Sequence, residues 1–568
     1  MEPRINPISG RQPINSMSIY RYIIWILVCL FTTLKVSGQS TDVVERIYIS
    51  TDKGSYVAGE GIGCALYCFD VTVGKLRFSE LSSVAYVELV SAEGVAQQEK
   101  ITLLEGRGGA VIKLSPDLPT GNYKLVAYTR QNRNEVGFVP YARDISIYNT
   151  LLASKIEGNV VLEVPSEETE GAVIRNTPFM EVVCDDTYGV TVKNLSSEKL
   201  FYNISVYRQD KLEQLQCETL ESFGKYVSGS KGKSFVNGFV PDFEGEVFHF
   251  KSDAIGKNML LSFPGENANV YISDVDENGD LYFYAGSIYG EKEGLLQVMP
   301  GYTDRSHKSE LVSPFIGSFD FEYPPLYLNE EMEGDLVARG VGMQLGRRFG
   351  LDTLNVPMEL RGDPFLEEPD KSYLLDDYTR FHTMHEVITE YVSNVRIRLV
   401  DKKRVFSVLF KDAVGNESYS RFTTLVLLDG MPVFDHEDIL AYDPMLVKQI
   451  RVYAHSYRLS DITYEGVICF DTYKGDIPSF PIDSTSLMFT HKGALYPEYI
   501  SGERLSEGGK IPDYRHTLYW HPAAELDPRG AEKFVLTPPK NRGTFNIVIE
   551  GVTASGVPFQ YKTNFEIL

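Results

Sequence analysis

Few stretches of this sequence could carry chemistry, and each fails on spacing. DVDENGD (Asp274–Asp280) opens like a calcium-binding loop, D-x-D-x-N-G. Position twelve of such a loop must supply a bidentate glutamate, and Ala285 stands there. Lying between NVYIS and LYFYAG, the segment reads instead as a hairpin with an Asn-Gly turn. GSKGKS (Gly229–Ser234) ends like a phosphate loop, but Val227 occupies the place of its first glycine and no strand-to-helix frame surrounds it. His382 and His385 have the i, i+3 spacing of metal ligands, with no carboxylate or third histidine placed to complete a site. His516 and His521 flank Trp520; a packed aromatic is the commoner use of such a residue than a carbohydrate platform. There is no G-x-S-x-G nucleophile elbow and no HExxH. No catalytic residue, metal ligand or cofactor site is assigned.

The chain has 568 residues and a formal charge of -23, which suggests about four or five domains. The acidic balance argues against nucleic-acid partners, which favour basic surfaces. Arg21–Ser40 has a basic flank, a short apolar run and small residues at its end. Val36-Ser37-Gly38 fits cleavage before Gln39, and the run is shorter than the ~20 residues of a spanning helix. Translation from Met17 gives such a signal its usual shape; Met1 stays open. An uncleaved anchor is the alternative. A lipoprotein signal would use Cys29, but Val28 stands where a small residue is wanted. The mature chain is expected to be exported, either soluble or held to a membrane by a partner.

Of the six cysteines, Cys64, Cys68, Cys184, Cys217 and Cys469 follow the cleavage point. Cys64 and Cys68 would lie ~13 Å apart along one strand, too far for a disulfide. Cys184 and Cys217 are able to meet within one domain. Buried hydrophobic thiols are the preferred reading.

The elements change character halfway. RIYIST, VAYVELV, AVIKLS and YKLVAYT alternate apolar with polar residues between Gly and Asp turns, the pattern of a β-sandwich. Val160–Cys217 and Phe235–Gly301 hold two further sandwich-sized sets of strands, with YVSGSKGKS (Tyr226–Ser234) as the boundary. Asn329–Gly350 reads as a helix capped by Asn329 and stopped by Gly350, with acids in its first turn and Arg347 and Arg348 in its last. Met332, Leu336, Met343 and Phe349 form its partial apolar stripe. Thr383–Val392 is a second helix, with Thr383 and Glu386 at capping-box spacing. The strand VRIRLV, then LVLLDG, the short helix DHEDILAYD, and the strands KQIRVYA and EGVICFDTY make an α+β layer.

T-D-K-x-x-Y-x-x-G (Thr51, Asp52, Lys53, Tyr56, Gly59) resembles the opening of a macroglobulin-type sandwich, and LPTGNYKLVAYT (Leu118–Thr129) its late strands. Gly54 departs from the proline common there. The ordered set Asp429-Gly430, Asp443-Pro444 before Ile450, and Gly466 resembles the plug of an outer-membrane TonB-dependent transporter, with no room left in the chain for a barrel. The whole order resembles exported envelope proteins of Gram-negative bacteria that join macroglobulin-like sandwiches to a barrel-less plug-like domain. That resemblance implies no catalytic activity and no cofactor. The Cys-x-Glu-Gln thioester of macroglobulin protease traps is absent; Cys217-Glu218-Thr219-Leu220 does not match it.

The expected chain is therefore mainly β and multidomain: a signal peptide (1–38), a macroglobulin-like sandwich (39–150), sandwiches at 151–230 and 231–305, a linker and helix (306–350), a plug-like α+β domain (351–485) and a C-terminal β domain (486–568). Its expected function is that of a noncatalytic envelope adaptor, periplasmic or associated with the outer membrane, that contacts an envelope protein such as an outer-membrane barrel. Loops carry binding on rigid scaffolds, so Asp429, Gly430, Met431, Asp471, Thr472, Tyr473 and Lys474 are the expected partner-binding residues. A glycan- or peptidoglycan-binding protein is the alternative, and a hydrolase with an unrecognised site is least favoured.

Overall fold

Alternation in ERIYIST implies one face on a core and one in water. In the computed structural model, both faces are covered: every residue of Glu45–Thr51 is buried. The structure describes residues 43–568 apart from 73–74, 153–159, 162–176, 216–217, 229–234, 237, 266–268, 301, 303, 351–354, 359–367, 412–416, 421–423, 460–461 and 504–512. Ile47 and Ile49 enter the core of the first sandwich. Tyr48 points the other way, into a second apolar cluster with Tyr67, Phe69, Phe223 and Trp520. The polar residues between them are satisfied, as burial demands: Arg46 forks onto Glu135 at 2.7 and 2.9 Å, and Ser50 donates to Glu550 at 2.7 Å.

The first sandwich pairs Glu45–Thr51, Gly61–Asp70, Arg77–Phe78 and Arg107–Lys113 in one sheet. The other runs Ser55–Val57, Ala142–Tyr148, Gly121–Tyr128, Val84–Ser91, Gly94–Thr102. These strands lie within the expected first domain. The later boundaries are crossed. Leu200–Arg208 pairs with Thr517–Leu526 on one side and Gly543–Thr553 on the other, and Gly189–Asn194 pairs with Ala531–Val535. The segments expected as separate domains at 151–230 and 486–568 thus build one sandwich, with one core. The third sandwich, expected at 231–305, extends to Ser309–Leu311 and takes Leu487–Lys492 as a further edge strand beside Glu291–Val298. Pairing across such separations follows register and shape, which no local pattern shows.

The α+β layer is therefore an insertion within the third sandwich, and the third sandwich an insertion within the second. Its main sheet runs Lys371–Leu374, Val447–Leu459, Ile462–Thr472, Leu425–Leu428, Met431–Pro432, with Leu425–Leu428 parallel to Ile462–Thr472. VRIRLV sits apart, in a smaller sheet with Lys403–Lys411 and Glu417–Tyr419. One face of the main sheet buries Val426, Ile450 and Phe470 under the helices Met384–Tyr391 and His436–Ala441. The opposite face packs Leu425, Leu427 and Tyr453 onto Leu260 and Met299 of the third sandwich. Thr383 caps its helix as expected, accepting from Glu386 N–H at 3.3 Å.

The helix Glu333–Phe349 follows a short 3-10 turn, and Gly350 closes it in the left-handed conformation. Met332 and Met343 are buried as the stripe implies, while Phe349 is exposed. Its Arg339 is buried against the first sandwich, where a charge would not be sought. A helix the sequence reading missed, Leu220–Ser228, places Leu220, Phe223 and Val227 in the cluster beneath Trp520. Cys64, Cys68, Cys184 and Cys469 are free thiols, all buried but Cys184. Cys217, the expected signal segment and GSKGKS lie outside the described residues. Among the described residues no helix is long and apolar enough to cross a membrane.

Candidate functional site

Asp429 and Gly430 join Leu425–Leu428 to Met431–Pro432 with φ of 47° and 83°. Two successive left-handed residues are what a tight primed hairpin turn needs, and Asp-Gly adopts them with little strain. The Asp429 carboxylate is buried. It accepts from Thr472 N–H at 2.7 Å, the Thr472 hydroxyl at 2.7 Å and Ile477 N–H at 2.9 Å. Its backbone carbonyl accepts from Gly265 N–H at 2.9 Å, tying the turn to the third sandwich. Asp429 is thus a clamp holding two loops together.

The clamped loop is unusual backbone. Gly475, Ile477 and Ser479 have φ of 69°, 46° and 58°. For β-branched Ile477 that region is a strained outlier. Asp471 is forked by Arg451 at 2.6 and 2.8 Å, and Arg451 also donates to Tyr453 at 2.9 Å. The Asp471 hydrogen bonds push the Arg451 pKa up. Tyr473 donates to Asp376 at 2.6 Å, which raises its own pKa. Lys474 and Lys448 are exposed, with no ion-pair partner among the described residues.

These loops form one lip of a cleft of about 810 Å³ between the α+β layer and the third sandwich. Its volume falls within the ~300–1,000 Å³ of ordinary ligand pockets. Asp429, Gly430, Asp471, Thr472, Tyr473 and Lys474 all line it. Met431 does not: strand alternation turns it into the core of the layer, so it is withdrawn as a contact residue. The other wall is Glu291–Leu295 and Met488 of the third sandwich. Sequence reasoning missed this wall and Arg451. The available signal for Arg451 was its diagonal cross-strand relation to Asp471.

A second concentration of charge lies where the sandwiches meet. Asp52 accepts from Tyr56 at 2.6 Å, Gly63 N–H at 2.9 Å, Thr517 at 2.6 Å and Lys53 at 2.9 Å. Arg339 donates to Glu60 at 2.6 Å and Ser55 at 2.9 Å, and lies 3.3 Å from Asp210. Glu246 of the third sandwich holds Lys100 at 2.5 Å and His491 at 2.9 Å. Burial would raise its pKa, but Lys100 and His491 outweigh burial and hold it below the usual value. Nearby Asp242 accepts from Val247 N–H and Tyr86, and burial lifts its carboxyl to about 7.

The remaining sequence candidates are occupied structurally. Asp276 accepts from the N–H groups of Asn278 and Asp280, and Asp280 binds His249 and Lys251. The flanking strands belong to different sheets, so DVDENGD crosses the sandwich and is not a paired hairpin. Ala285 is core. His382 and His385 are exposed around a helix start. Trp520 is fully buried. Burial drives the pKa of His516 well down, with Arg339, Lys53 and Arg208 adding to it, and takes His521 to about 4.

No family model matches the chain, and no curated protein does. Solved structures similar to it include Salmonella α2-macroglobulin reacted with methylamine, at 8% identity and TM-score 0.23, covering 92% of this chain and 39% of that one. The native Escherichia coli α2-macroglobulin is similar at 8% identity and TM-score 0.24, covering 94% and 40%. Latent PorU from Porphyromonas gingivalis is similar over 47% of this chain and 34% of that one, at 11% identity and TM-score 0.15. The chain spans about two fifths of the length of these α2-macroglobulins. At such TM-scores the likeness carries no argument; the mainly β, multidomain fold rests on the sheets themselves.

Proposed function

We propose that this chain is a noncatalytic adaptor of the cell envelope, exported and working by protein–protein contact at or near the outer membrane. It would be one of the envelope proteins that couple macroglobulin-like sandwiches to a barrel-less plug-like domain. The observation that carries this reading is the cleft. Its lips come from two different bodies, and one lip is the pair of turn loops expected to meet a partner. The sandwiches then act as a mount that sets the position of that cleft. The glycan reading loses its aromatic platform, since Trp520 is fully buried.

Whole-domain deletion is a poor test. Removing the first sandwich would strip Glu60 from Arg339, and removing the α+β layer would expose the face of the third sandwich beneath it. A photo-crosslinking residue at Lys474, with one at Tyr284 on the third sandwich as control, keeps the chain intact. In envelope preparations the Lys474 probe is expected to capture one protein reproducibly and the Tyr284 probe not to. Capture of polysaccharide alone, or the same products from both positions, would overturn the adaptor reading.

A further inference from the structure

Alternation along two strands of the first sandwich leaves their second face to be explained. Ala85, Val87 and Leu89 enter the core, as do Leu125 and Ala127, so Tyr86, Glu88, Lys124 and Tyr128 point outward. Yet Tyr86, Glu88 and Tyr128 are 0% exposed. Residues 313–325 (SPFIGSFDFEYPP), in the connector from the third sandwich to the helix Glu333–Phe349, lie on them: Phe315, Ile316 and Phe319 pack on Tyr86 and Tyr128. The Tyr86 hydroxyl itself turns aside to Asp242. The segment forms no strand, and each of its residues is exposed or half-buried. Side chains of the sandwich hold its backbone. Arg133 donates to the Pro314 carbonyl at 2.6 Å, Asn122 donates to that of Pro324 at 3.1 Å, and the Tyr128 hydroxyl accepts from Ile316 N–H at 2.6 Å. The Glu88 carboxylate has no ion-pair partner among the described residues. It accepts from the Tyr128 hydroxyl at 2.5 Å, Gln98 at 2.7 Å, and the N–H groups of Ile316 and Gly317 at 3.2 Å each. Phe315 meets Tyr86 edge-on with centroids 5.4 Å apart, Phe319 lies 6.4 Å from Tyr128, and the Lys124 ammonium is 5.7 and 5.8 Å from the rings of Phe321 and Tyr323.

From Phe319 to Tyr323 the aromatics alternate with the exposed carboxylates of Asp320 and Glu322, a strand's pattern laid on a surface with no ladder beneath it. We propose that residues 313–325 are the displaceable resident of a peptide-binding groove, and that the groove takes from a partner protein an extended segment of the same kind, aromatic at every second position and turned by a glycine over Glu88. Glu88 reads backbone N–H groups, which every chain carries, while Tyr86, Tyr128 and Lys124 select for rings. A buried carboxylate stripped of its donors is costly, so the resident leaves as another segment enters. Its release unpairs no strand of the sandwiches, because Leu311 and Leu326 beyond its two ends keep their own strand partners. The groove shares no residue with the cleft, so it is a second contact surface, beyond the adaptor reading.

The test uses the full chain and a labelled synthetic peptide of residues 313–325. The wild-type groove is filled by a tethered copy, against whose high effective concentration the peptide must compete. Phe315→Ser, Phe319→Ser and Phe321→Ser together weaken the resident, and fluorescence anisotropy should then show the peptide binding at least tenfold more tightly than to the wild type. A peptide of the same composition with its aromatics gathered at one end should bind at least tenfold more weakly. Adding Lys124→Gln should lower the affinity by about two- to fivefold, the worth of an exposed cation–π contact. In the wild type, excess peptide should speed chymotryptic cleavage after Phe319 and Phe321, because the evicted segment lies in water. That measurement needs no variant and decides the matter if melting curves show the triple replacement to be misfolded. No binding to a folded triple variant, equal binding of the rearranged peptide, or unchanged cleavage of the wild type at saturating peptide would each overturn the proposal. Wild-type dimers formed by exchanging this segment, seen by light scattering, would put a second copy in the groove and overturn the partner assignment. None of these outcomes bears on capture at Lys474, so the adaptor reading stands or falls separately.

Discussion

The junction of the sandwiches and the cleft beside the α+β layer are both rich in charge, yet they use it in opposite ways. At the junction Arg339, Glu60, Asp210, Lys100, Glu246 and His491 are buried or nearly so, and each has a partner of opposite sign or a hydrogen bond. At the cleft the buried carboxylate, Asp429, is satisfied by backbone and hydroxyl donors, while lysines and glutamates stand in water across a gap. Burying an ion is tolerable only with a matched partner, so the first set must be structural. Exposed charges contribute little to stability, so the second is free to serve recognition.

The comparison breaks first at Arg339. Arg339→Met leaves Asp210 without its cation and Glu60 with Lys53 alone at 3.9 Å, and denaturant unfolding should show a loss of about 3–5 kcal/mol. A loss below 1 kcal/mol would mean the helix is not anchored through this residue. Glu246→Gln strips Lys100 and His491 of their carboxylate. A loss of about 2–3 kcal/mol is expected, since hydrogen bonds to charged groups are worth about that much. Gly430→Val forces a β-branched residue to the left-handed turn and should cost about 1–3 kcal/mol; an unchanged melting temperature would contradict the turn.

Asp242 sharpens the comparison through pH. Its folded pKa, about 7, lies above the ordinary value of 3.8. The native state therefore holds this proton more tightly than the unfolded chain, and its contribution is present below the ordinary value and lost as pH rises through 7. Arg130 and Glu246 also act on Asp242, and Tyr86 donates to it. The melting temperature of the wild type should fall more steeply between pH 5 and 8 than that of Asp242→Asn; parallel profiles would show that Asp242 does not titrate there. The smallest effect belongs to the cleft. Lys448→Gln with Lys474→Gln should change stability by no more than ~0.5 kcal/mol, and a larger loss would mean these lysines belong with the junction after all.

What could be read from the sequence was local. Period-two strands, the Asp429-Gly430 turn and the Thr383 cap depend on neighbours within a few residues. The return of Thr517–Thr553 to flank Leu200–Arg208 does not, because many strands of similar pattern could compete for that place. Arg339 falls between Leu336 and Met343 on the striped face of its helix, and only the third dimension brings Glu60 and Asp210 to it. The helix at Leu220 carried a usable sign, Thr219 and Ser222 at the spacing of a reciprocal cap, with Leu220, Phe223 and Val227 on one face. A glycine within it and the polar run after it masked that sign. Of the cleft, one lip was legible because its turns are spelled by Asp and Gly. The opposing glutamates were not, since they lie on a plain strand.

The nested order of the chain also sets a timetable. During synthesis from the N-terminus, the first sandwich has all its strands early. The second must hold Met180, Val190 and Ile204 uncovered until Thr517–Ile567 emerges, long after the inner modules can have closed. In that interval its half-formed sheets are open edges, the kind of surface that invites wrong pairing. Helper proteins and proteases would therefore meet this molecule chiefly at its second sandwich, the last to be sealed.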